Sequence, residues 1–312
     1  MKRVKTLQHL KDDLDISKEQ VLALFDLSRK LKKERRAGIV NHSLSGMSLA
    51  MIFEKPSTRT RVSFEVGMTE LGGHALYLGP DDLQTKRGES LTDTAKTLSR
   101  YVHGIMARVF DHNDILELAR SARVPVINGL SDRFHPCQAL TDLFTIYEKR
   151  GTLTDMTISF VGDGDNNVTN SLLLLSTRLG VHMHIACPQA FGVRQDILSL
   201  AKKECARSGA HILVTSDPEE AVTSADVIYT DAWVSMGKKR LSSRIRALRP
   251  YQLNARLLGH AKANAMVMHC LPAHRGEEIT NEVIDGSQSI VFDQAENRLH
   301  VQKALLVQLL GL

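Results

Sequence analysis

The sequence predicts an α/β protein built from two doubly wound domains with parallel sheets. Short apolar runs alternate with amphipathic segments along all 312 residues, which is typical of parallel strands connected by helices. This length corresponds to about two domains of roughly 150 residues each. A polar connector at 150–155 separates a first series of predicted strands from a second one. We therefore expect one domain at residues 1–150 and another at 151–312.

The first half is predicted to contain a capped helix, four strands and the helices between them. The capping box Ser17-Lys18-Glu19-Gln20 opens a helix whose inward residues include Val21 and Leu24. Apolar runs predict strands at 49–53, 75–78, 105–109 and 124–127. Amphipathic stretches predict helices near 58–71, 91–101, 114–122 and 136–150.

The second half repeats the same alternation. Its predicted strands are 157–161, 181–186, 212–214, 227–229 and 265–268. The final helix, about 294–312, is unusually apolar for a terminus, so we expect it to pack back on the first domain. Two domains of this kind place a cleft between them at the carboxyl ends of their strands.

Composition argues against several classes of protein. The net charge is +5, with 43% hydrophobic and 24% charged residues, which argues against disorder. Nucleic-acid binding calls for a basic stripe interleaved with aromatics. Because the basic residues are dispersed and aromatics are 5% of the chain, a basic surface protein bound to nucleic acid is only a minor alternative. No apolar run approaches a membrane span and no signal peptide is recognisable. Four scattered cysteines favour a cytoplasmic protein with reduced thiols.

The most informative motif is Ser57-Thr58-Arg59-Thr60-Arg61, directly after the first predicted strand. Free backbone N–H groups at a helix start attract an anion. The hydroxyls add donors, and an arginine offers a fork that fits phosphate oxygens. The alternative is that Ser57 or Thr58 only caps the helix while the arginines are solvated. Because three hydroxyls and two arginines follow one strand, we favour an anion site.

A second motif is His135-Pro136-Cys137-Gln138. Proline suits the first position of a helix, so His135 and Gln138 project from the same helix start. An imidazole and a carboxamide are uncharged donors and acceptors that suit a carbonyl group and an amide nitrogen. Taken alone, a His-Pro pair is more often a simple helix cap.

A third motif, the turn Gly162-Asp163-Gly164-Asp165-Asn166-Asn167, follows the first predicted strand of the second half. It resembles a dinucleotide-binding turn, but Asn167 stands at the last glycine position and no acidic residue ends the next strand. A P-loop is also missing from the sequence. A nucleotide- or dinucleotide-binding oxidoreductase on the same two-domain plan is therefore the runner-up interpretation.

Two more motifs follow predicted strands near the end of the chain. They are Asp231-Ala232-Trp233-Val234-Ser235-Met236-Gly237 and His269-Cys270-Leu271-Pro272-Ala273-His274. The simpler alternatives are a loop carboxylate for Asp231 and a buried structural thiol for Cys270. The histidine and cysteine spacing fits no standard zinc motif, so we predict no metal and no cofactor.

Together, in this order, the motifs resemble the aspartate/ornithine carbamoyltransferase family over almost the whole chain. Ser57–Arg61 and His135–Gln138 match the family's carbamoyl phosphate signatures. Asp231 with Ser235-Met236-Gly237, and His269-Cys270-Leu271-Pro272, match its ornithine branch. The resemblance implies transfer of a carbamoyl group from carbamoyl phosphate to the δ-amine of L-ornithine, giving L-citrulline and phosphate. Another amine, putrescine or aspartate, is the alternative acceptor.

The resemblance also implies the site residues. Those for the phosphate and carbamoyl groups are Ser57, Thr58, Arg59, Thr60, Gln84, Arg108, His135, Gln138, the Cys270-Leu271 backbone and Arg298. Those for ornithine are Asn167, Asp231, Ser235 and Met236. Four residues of these sets are implied to be catalytic: Arg108, His135, Asp231 and Cys270.

The implied assembly is a homotrimer, or a larger assembly of trimers, with Gln84 reaching the site of a neighbouring subunit. One residue departs from the family pattern. Lys86 stands where relatives commonly have glycine, two positions after that glutamine. A lysine there stiffens or shifts the loop, which makes Gln84 the weakest of the implied contacts.

Overall fold

The computed structural model describes residues 7–234 and 241–311, without the side chains of residues 85 and 86. These residues form two compact units. The first unit contains the described residues up to Phe144 together with those from Glu296 onward, and the second unit contains Thr145–Ala295. The chain therefore leaves the first unit once and returns to it at the end.

The first unit alternates strands and helices around a four-stranded sheet. Its elements are α1 (Lys18–Arg36), β1 (Ser48–Phe53), α2 (Thr58–Glu70), β2 (His74–Leu78), α3 (Leu91–Leu98), β3 (Gly104–Arg108), α4 (His112–Ser121), β4 (Val126–Leu130) and the start of α5 (Pro136–Arg150). The strand order is β2-β1-β3-β4, and every pairing is parallel.

The second unit has a five-stranded sheet. Its elements are β5 (Thr157–Val161), α6 (Asn167–Leu179), β6 (His182–Ala186), α7 (Gln195–Ser208), β7 (Ile212–Thr215), α8 (Pro218–Val222), β8 (Val227–Thr230), α9 (Ser242–Leu248), α10 (Ala255–Leu258), β9 (Met266–His269), α11 (Asn281–Ile284) and the start of α12 (Val291–Leu310). The order β7-β6-β5-β8-β9 is again all parallel.

Each sheet reverses its winding direction once, between β1 and β3 in the first unit and between β5 and β8 in the second. The strands at these reversals are almost entirely buried, because helices cover both faces of a doubly wound parallel sheet. Ligands of such folds bind beyond the carboxyl ends of the strands at the reversal. The predicted fold class is confirmed.

The final helix packs on the first unit, as predicted. The Lys32 ammonium on α1 donates to Asn297 Oδ1 at 2.7 Å, and the Lys303 ammonium donates to Glu70 Oε2 on α2, also at 2.7 Å. The helix begins at Val291, a few residues before its predicted start. Among the residues that the structure describes, every helix is too short or too polar to cross a membrane.

Side-chain hydrogen bonds explain where elements differ from the predicted bounds. Helix α4 begins at His112 because Asp111 accepts from Asn113 N at 2.8 Å and caps it. Helix α3 ends at Leu98, where the Ser99 hydroxyl turns back to Ala95 O at 2.6 Å. The capping box of Ser17 is present as predicted. The division between the units falls inside α5, whereas the sequence placed it at the connector that follows.

Candidate active site

The winding reversal of the first unit brings two predicted segments together. Strand register pairs Phe53, the last residue of β1, with Arg108, the last residue of β3. The backbone bond from Glu54 N to Arg108 O, 2.9 Å long, holds these two strand ends together. The loop that leads into α2 therefore starts beside Arg108, which is 5% exposed.

Ser57 caps α2 and leaves the helix start able to bind an anion. Its hydroxyl accepts from Thr60 N at 3.3 Å, while the other N–H groups of the first turn have no partner within the helix. Capping and anion binding are thus compatible here. Arg61 turns away, because its Nε donates to Glu65 at 3.0 Å and its guanidinium lies 3.9 Å from the Tyr77 ring centre.

Arg298 connects three elements of the first unit. Its Nη1 donates to Gln138 Oε1 at 2.6 Å and its Nη2 to Thr60 Oγ1 at 3.2 Å. Its Nε donates to Gln302 Oε1 at 2.8 Å. Three predicted residues that are far apart in the sequence, Thr60, Gln138 and Arg298, therefore share one hydrogen-bonded cluster.

The carboxamide of Gln138 has a fixed orientation. Its Nε2 donates to Asp142 Oδ1 at 2.7 Å, and both side chains are buried. A carboxylate only accepts hydrogen bonds, so the Gln138 amide group must face Asp142 and its oxygen must face Arg298. The i,i+4 spacing on α5 makes this contact possible.

His135 is electrically neutral in this environment. Burial lowers its pKa well below the ordinary value of 6.5, and the positive charges of Arg298, Arg108 and Arg59 lower it further. A neutral imidazole donates one hydrogen bond and accepts one. Lys55 is another cation of the first unit. Its side chain is buried, and its Nζ lies 4.4 Å from the Phe110 ring centre. Burial, followed by the charge of Arg108, lowers the pKa of Lys55.

The second unit places Asp231 beside Cys270. Strands β8 and β9 pair in register at Thr230 and His269, so the next residue of each strand leaves the same sheet edge. The Cys270 thiol donates to Asp231 Oδ1 at 2.9 Å, and Ala232 N donates to the same oxygen at 2.7 Å. Both side chains are half-buried.

The turn before α6 adds two asparagines to this edge. Asn166 caps the helix by accepting from Thr169 N at 2.8 Å, and its Nδ2 lies 3.4 Å from Asp231 Oδ2. Asn167 is the first residue of α6 and is half-buried. The winding reversal between β5 and β8 therefore gathers a carboxylate, a thiol and amide groups.

A buried pair fixes the turn that follows Cys270. Leu271 has a left-handed backbone, φ 57°, which is unfavourable for a leucine. Its N–H donates to His269 Nδ1 at 2.8 Å, so the proton of a neutral His269 lies on Nε2. That nitrogen faces Glu278 Oε1 at 3.1 Å. Glu278 thus sets the tautomer of His269 that stabilises the turn.

Arg244 joins the turn after β5 to the turn after β8. It pairs with the fully buried Asp163, and its Nε donates to Trp233 O at 2.6 Å. Its guanidinium also lies 4.4 Å from the Phe191 ring centre. These contacts fix the relative positions of two segments that carry predicted ornithine contacts.

The remaining predicted residues lie elsewhere. Gln84 opens a short 3-10 helix, Gln84–Arg87, and its side chain is exposed. Ser235 and Met236 lie outside the described residues.

Three residues at the edge of the second sheet could together bind a metal ion. Asp231, His269 and Cys270 offer potential ligand atoms within 4.8 Å of one another, and the expectation of no metal stays a prediction.

Sequence reasoning gave no role to several residues that organise the site. They are Lys55, Asp142, Asp163, Arg244, Glu278 and Gln302. One signal was available for two of them. Gln138 with Asp142, and Arg298 with Gln302, are polar pairs at i,i+4 on helices that are otherwise rich in apolar residues.

Two family profiles match the chain, one on either side of residue 150. "Aspartate/ornithine carbamoyltransferase, carbamoyl-P binding domain" matches residues 8–148, and "Aspartate/ornithine carbamoyltransferase, Asp/Orn binding domain" matches residues 154–309. The chain belongs to the aspartate/ornithine carbamoyltransferase family. The cluster around Thr60 and Gln138 lies in the first match, and the pair Asp231 and Cys270 lies in the second.

Individual relatives agree with this assignment. The ornithine carbamoyltransferase of Archaeoglobus fulgidus is 54% identical over 306 residues, 98% of each chain. The anabolic ornithine carbamoyltransferase of Pyrococcus furiosus is 51% identical over 298 residues, 95% of this chain and 94% of that one. Among solved structures, the ornithine carbamoyltransferase from Pyrococcus furiosus has a TM-score of 0.95 at 50% identity and covers 99% of both chains. That from Thermus thermophilus has a TM-score of 0.87 at 42% identity, covering 97% of this chain and 99% of the other. These matches do not favour the oxidoreductase alternative.

Proposed function

We propose that this protein transfers the carbamoyl group of carbamoyl phosphate to the δ-amine of L-ornithine, giving L-citrulline and phosphate. The observation that carries the proposal is the 54% identity, over 98% of both chains, to a relative named ornithine carbamoyltransferase. The candidate site residues support it, because those of the first unit include several cations and those of the second unit include a carboxylate.

Carbamoyl phosphate is proposed to bind to the first unit. Its phosphate accepts hydrogen bonds from the start of α2, where Ser57, Thr58, Arg59 and Thr60 lie, and pairs with Arg108. An exposed side chain such as Gln84 suits the proposed contact with a neighbouring subunit. Free N–H groups, the helix dipole and bidentate arginine contacts together stabilise a bound dianion.

The carbamoyl group is proposed to contact the uncharged side chains of His135 and Gln138, with Arg298 beside them. A neutral His135 donates to the carbonyl oxygen, on which negative charge builds during attack. Arg108 and the Thr60 hydroxyl are further donors to that oxygen. Loss of one such donor typically lowers the rate about a hundredfold to a thousandfold. The Cys270-Leu271 backbone is assigned to the same group.

Ornithine is proposed to bind through its amino-acid end to Asn167, Asp231, Ser235 and Met236, with Cys270 near the δ-amine. Asp231 is assigned mainly to the α-ammonium group. A carboxylate against the δ-nitrogen would favour the ammonium form of that nitrogen, which has no lone pair for attack.

The reaction needs the neutral amine. The δ-ammonium resembles that of lysine, with a pKa of about 10.4, so on the order of one molecule in two thousand is neutral at pH 7. The cations that bind phosphate, together with exclusion of water, favour the neutral form. The δ-nitrogen then attacks the carbamoyl carbon, phosphate leaves, and the departing phosphate takes the proton from nitrogen.

The proposal extends to assembly and location. A homotrimer, or an assembly of trimers, gives Gln84 a neighbouring subunit to reach. A cytoplasmic location suits the four free cysteines, two of which are buried. The name of the Pyrococcus furiosus relative includes the word anabolic, which supports a role in arginine synthesis.

A colorimetric citrulline assay tests the function with three amines. We expect carbamoylation of ornithine and little or none of aspartate or putrescine. Efficient carbamoylation of aspartate or putrescine would assign the protein to another branch of the family. Failure with all three amines, together with nicotinamide binding in a fluorescence titration, would favour the oxidoreductase instead.

A further inference from the structure

A chain of three hydrogen bonds runs from Arg298 to the first turn of α2. Arg298 Nε donates to Gln302 Oε1 at 2.8 Å, and Gln302 Nε2 donates to Ser63 Oγ at 2.8 Å. The Ser63 hydroxyl then donates to Arg59 O at 2.5 Å. The chain thus ends on the backbone of the turn that carries the proposed phosphate contacts.

The direction of every bond in this chain is set by chemistry. Ser63 has one hydroxyl hydrogen, and its backbone partners Arg59 O and Thr60 O can only accept it, so Ser63 Oγ accepts from Gln302. Gln302 must therefore turn its NH₂ group toward Ser63 and its oxygen toward Arg298. Arg298 has only donors, so it requires the orientation of Gln302 that Ser63 imposes.

The chain is shielded from water. Gln302 is 0% exposed, Arg298 3% and Ser63 9%, so solvent has little access to replace a lost partner of Gln302. The i,i+4 spacing of Arg298 and Gln302 on α12 also keeps the two side chains side by side. A buried hydrogen-bonded network of this kind restricts its members to one arrangement.

Gln302 differs from the other two partners of Arg298 described above. Thr60 and Gln138 belong to the proposed substrate contacts, whereas Gln302 does not. When substrate engages those two residues, the Nε bond still fixes the plane of the guanidinium. A planar group with its Nε side anchored directs both Nη atoms in a fixed direction.

We propose that Gln302 is a positioning residue for carbamoyl phosphate, which acts by fixing the Arg298 guanidinium relative to the first turn of α2. This inference rests on the proposed function, because it assigns the carbamoyl end of the substrate to Arg298. The role is distinct from helix docking, which other residues of α12 perform.

Lys303 provides the matched control. It is the next residue of the same helix, is 3% exposed, and donates to Glu70 at the far end of α2. Its substitution disturbs the packing of the same two helices without touching the Arg298 chain. A purely structural role of Gln302 would give the two positions the same phenotype.

The test compares Gln302→Leu, Gln302→Glu and Lys303→Met with the wild type. Leucine keeps the volume and removes both hydrogen bonds, whereas glutamate keeps an acceptor for Arg298 Nε. Calorimetry measures the affinity for phosphonoacetamide, a stable analogue of carbamoyl phosphate, and for inorganic phosphate. Thermal melts measure folding, and the citrulline assay gives KM for each substrate.

We expect Gln302→Leu to weaken phosphonoacetamide binding about tenfold, the lower range for a hydrogen bond to a charged group. Inorganic phosphate lacks the amide end, so its affinity changes less. The KM for carbamoyl phosphate rises similarly, while that for ornithine stays within about twofold. Gln302→Glu recovers most of the affinity. Lys303→Met lowers Tm and leaves both affinities near the wild-type values.

Wild-type affinity in Gln302→Leu would overturn the inference, as would equal weakening in Lys303→Met. A wild-type protein that fails to bind phosphonoacetamide would overturn it as well. The proposed function fails separately. If the wild type binds phosphonoacetamide with the expected Gln302 effect but forms no citrulline from ornithine, the positioning role stands and the assigned acceptor is wrong.

Discussion

Replacing Asp231 with asparagine removes one negative charge from the candidate ornithine site and changes little else. Asp231 Oδ1 already accepts from the Cys270 thiol at 2.9 Å and from Ala232 N at 2.7 Å. An asparagine oxygen can accept both bonds. The new NH₂ group takes the place of Oδ2, so the long hydrogen bond that Asn166 Nδ2 donates to that oxygen at 3.4 Å is lost as well.

These contacts set the size of the effect. The two bonds to Oδ1 survive, and the side chain is half-buried, so we expect the free energy of unfolding to fall by less than about 1 kcal/mol. The proposed bond from the carboxylate to the ornithine α-ammonium would be lost, and a hydrogen bond between charged groups is worth about 1.5–3 kcal/mol. The KM for ornithine should therefore rise about tenfold to a hundredfold.

Initial rates of citrulline formation at saturating carbamoyl phosphate measure this change. Norvaline, which is ornithine without the δ-amine, distinguishes the two ends of the substrate. If Asp231 contacts the α-ammonium, norvaline inhibition weakens by the same factor as ornithine binding. Asp226→Asn is the control, because Asp226 precedes the opposite end of β8 and pairs with Lys262. A KM for ornithine within twofold of the wild type would refute the assignment.

Three further outcomes follow from the geometry. Arg59→Ala should raise the KM for carbamoyl phosphate about tenfold or more, since it loses a charge-assisted contact, whereas Arg61→Ala, at Tyr77, should not. Acid should destabilise the fold, because burial lowers the pKa of His300 to about 4. The unfolded chain binds that proton near pH 6.5, so on the order of 3 kcal/mol is lost as pH falls from 6.5 to 4. Gly162→Ala should lower the unfolding free energy by about 1–3 kcal/mol, because its φ of 140° strains any side chain.

Each of these outcomes has a simple check. If Arg59→Ala and Arg61→Ala gave the same saturation curve with carbamoyl phosphate, the proposed anion site at the start of α2 would be wrong. Denaturant titrations at pH 7 and pH 4.5 measure the histidine effect, and a His300→Gln variant should flatten the pH dependence. An unchanged denaturation midpoint in Gly162→Ala would show that the turn relaxes without cost.

The order of elements was predictable because parallel strands are buried on both faces and read as short apolar runs. Strand β3, for example, is buried along its whole length, and its apolar character is plain in the sequence. Element ends were less predictable, because they depend on individual side chains. Asp111 caps α4 before the apolar period begins, and periodicity carries no signal for such a bond.

The candidate site divides in the same way. Residues at strand ends, such as Asp231 and Cys270, were predictable because topology alone brings them to one edge of the sheet. Arg298 was reached through resemblance, and its partner Gln302 was missed. A buried glutamine has no motif of its own, and its role depends on contacts with Ser63 on a helix more than two hundred residues away.

The return of residues 296–311 to the first unit bears on how the protein is made. A ribosome adds Arg298 only after the whole of the second unit has been synthesised. All strands of the β2-β1-β3-β4 sheet are therefore synthesised early. Thr60 and Gln138 lack their Arg298 partner until α12 has been synthesised. The unit that is translated first therefore receives its last residues at the end of synthesis, so a prematurely released polypeptide would lack Arg298 in its hydrogen-bonded cluster with Thr60 and Gln138.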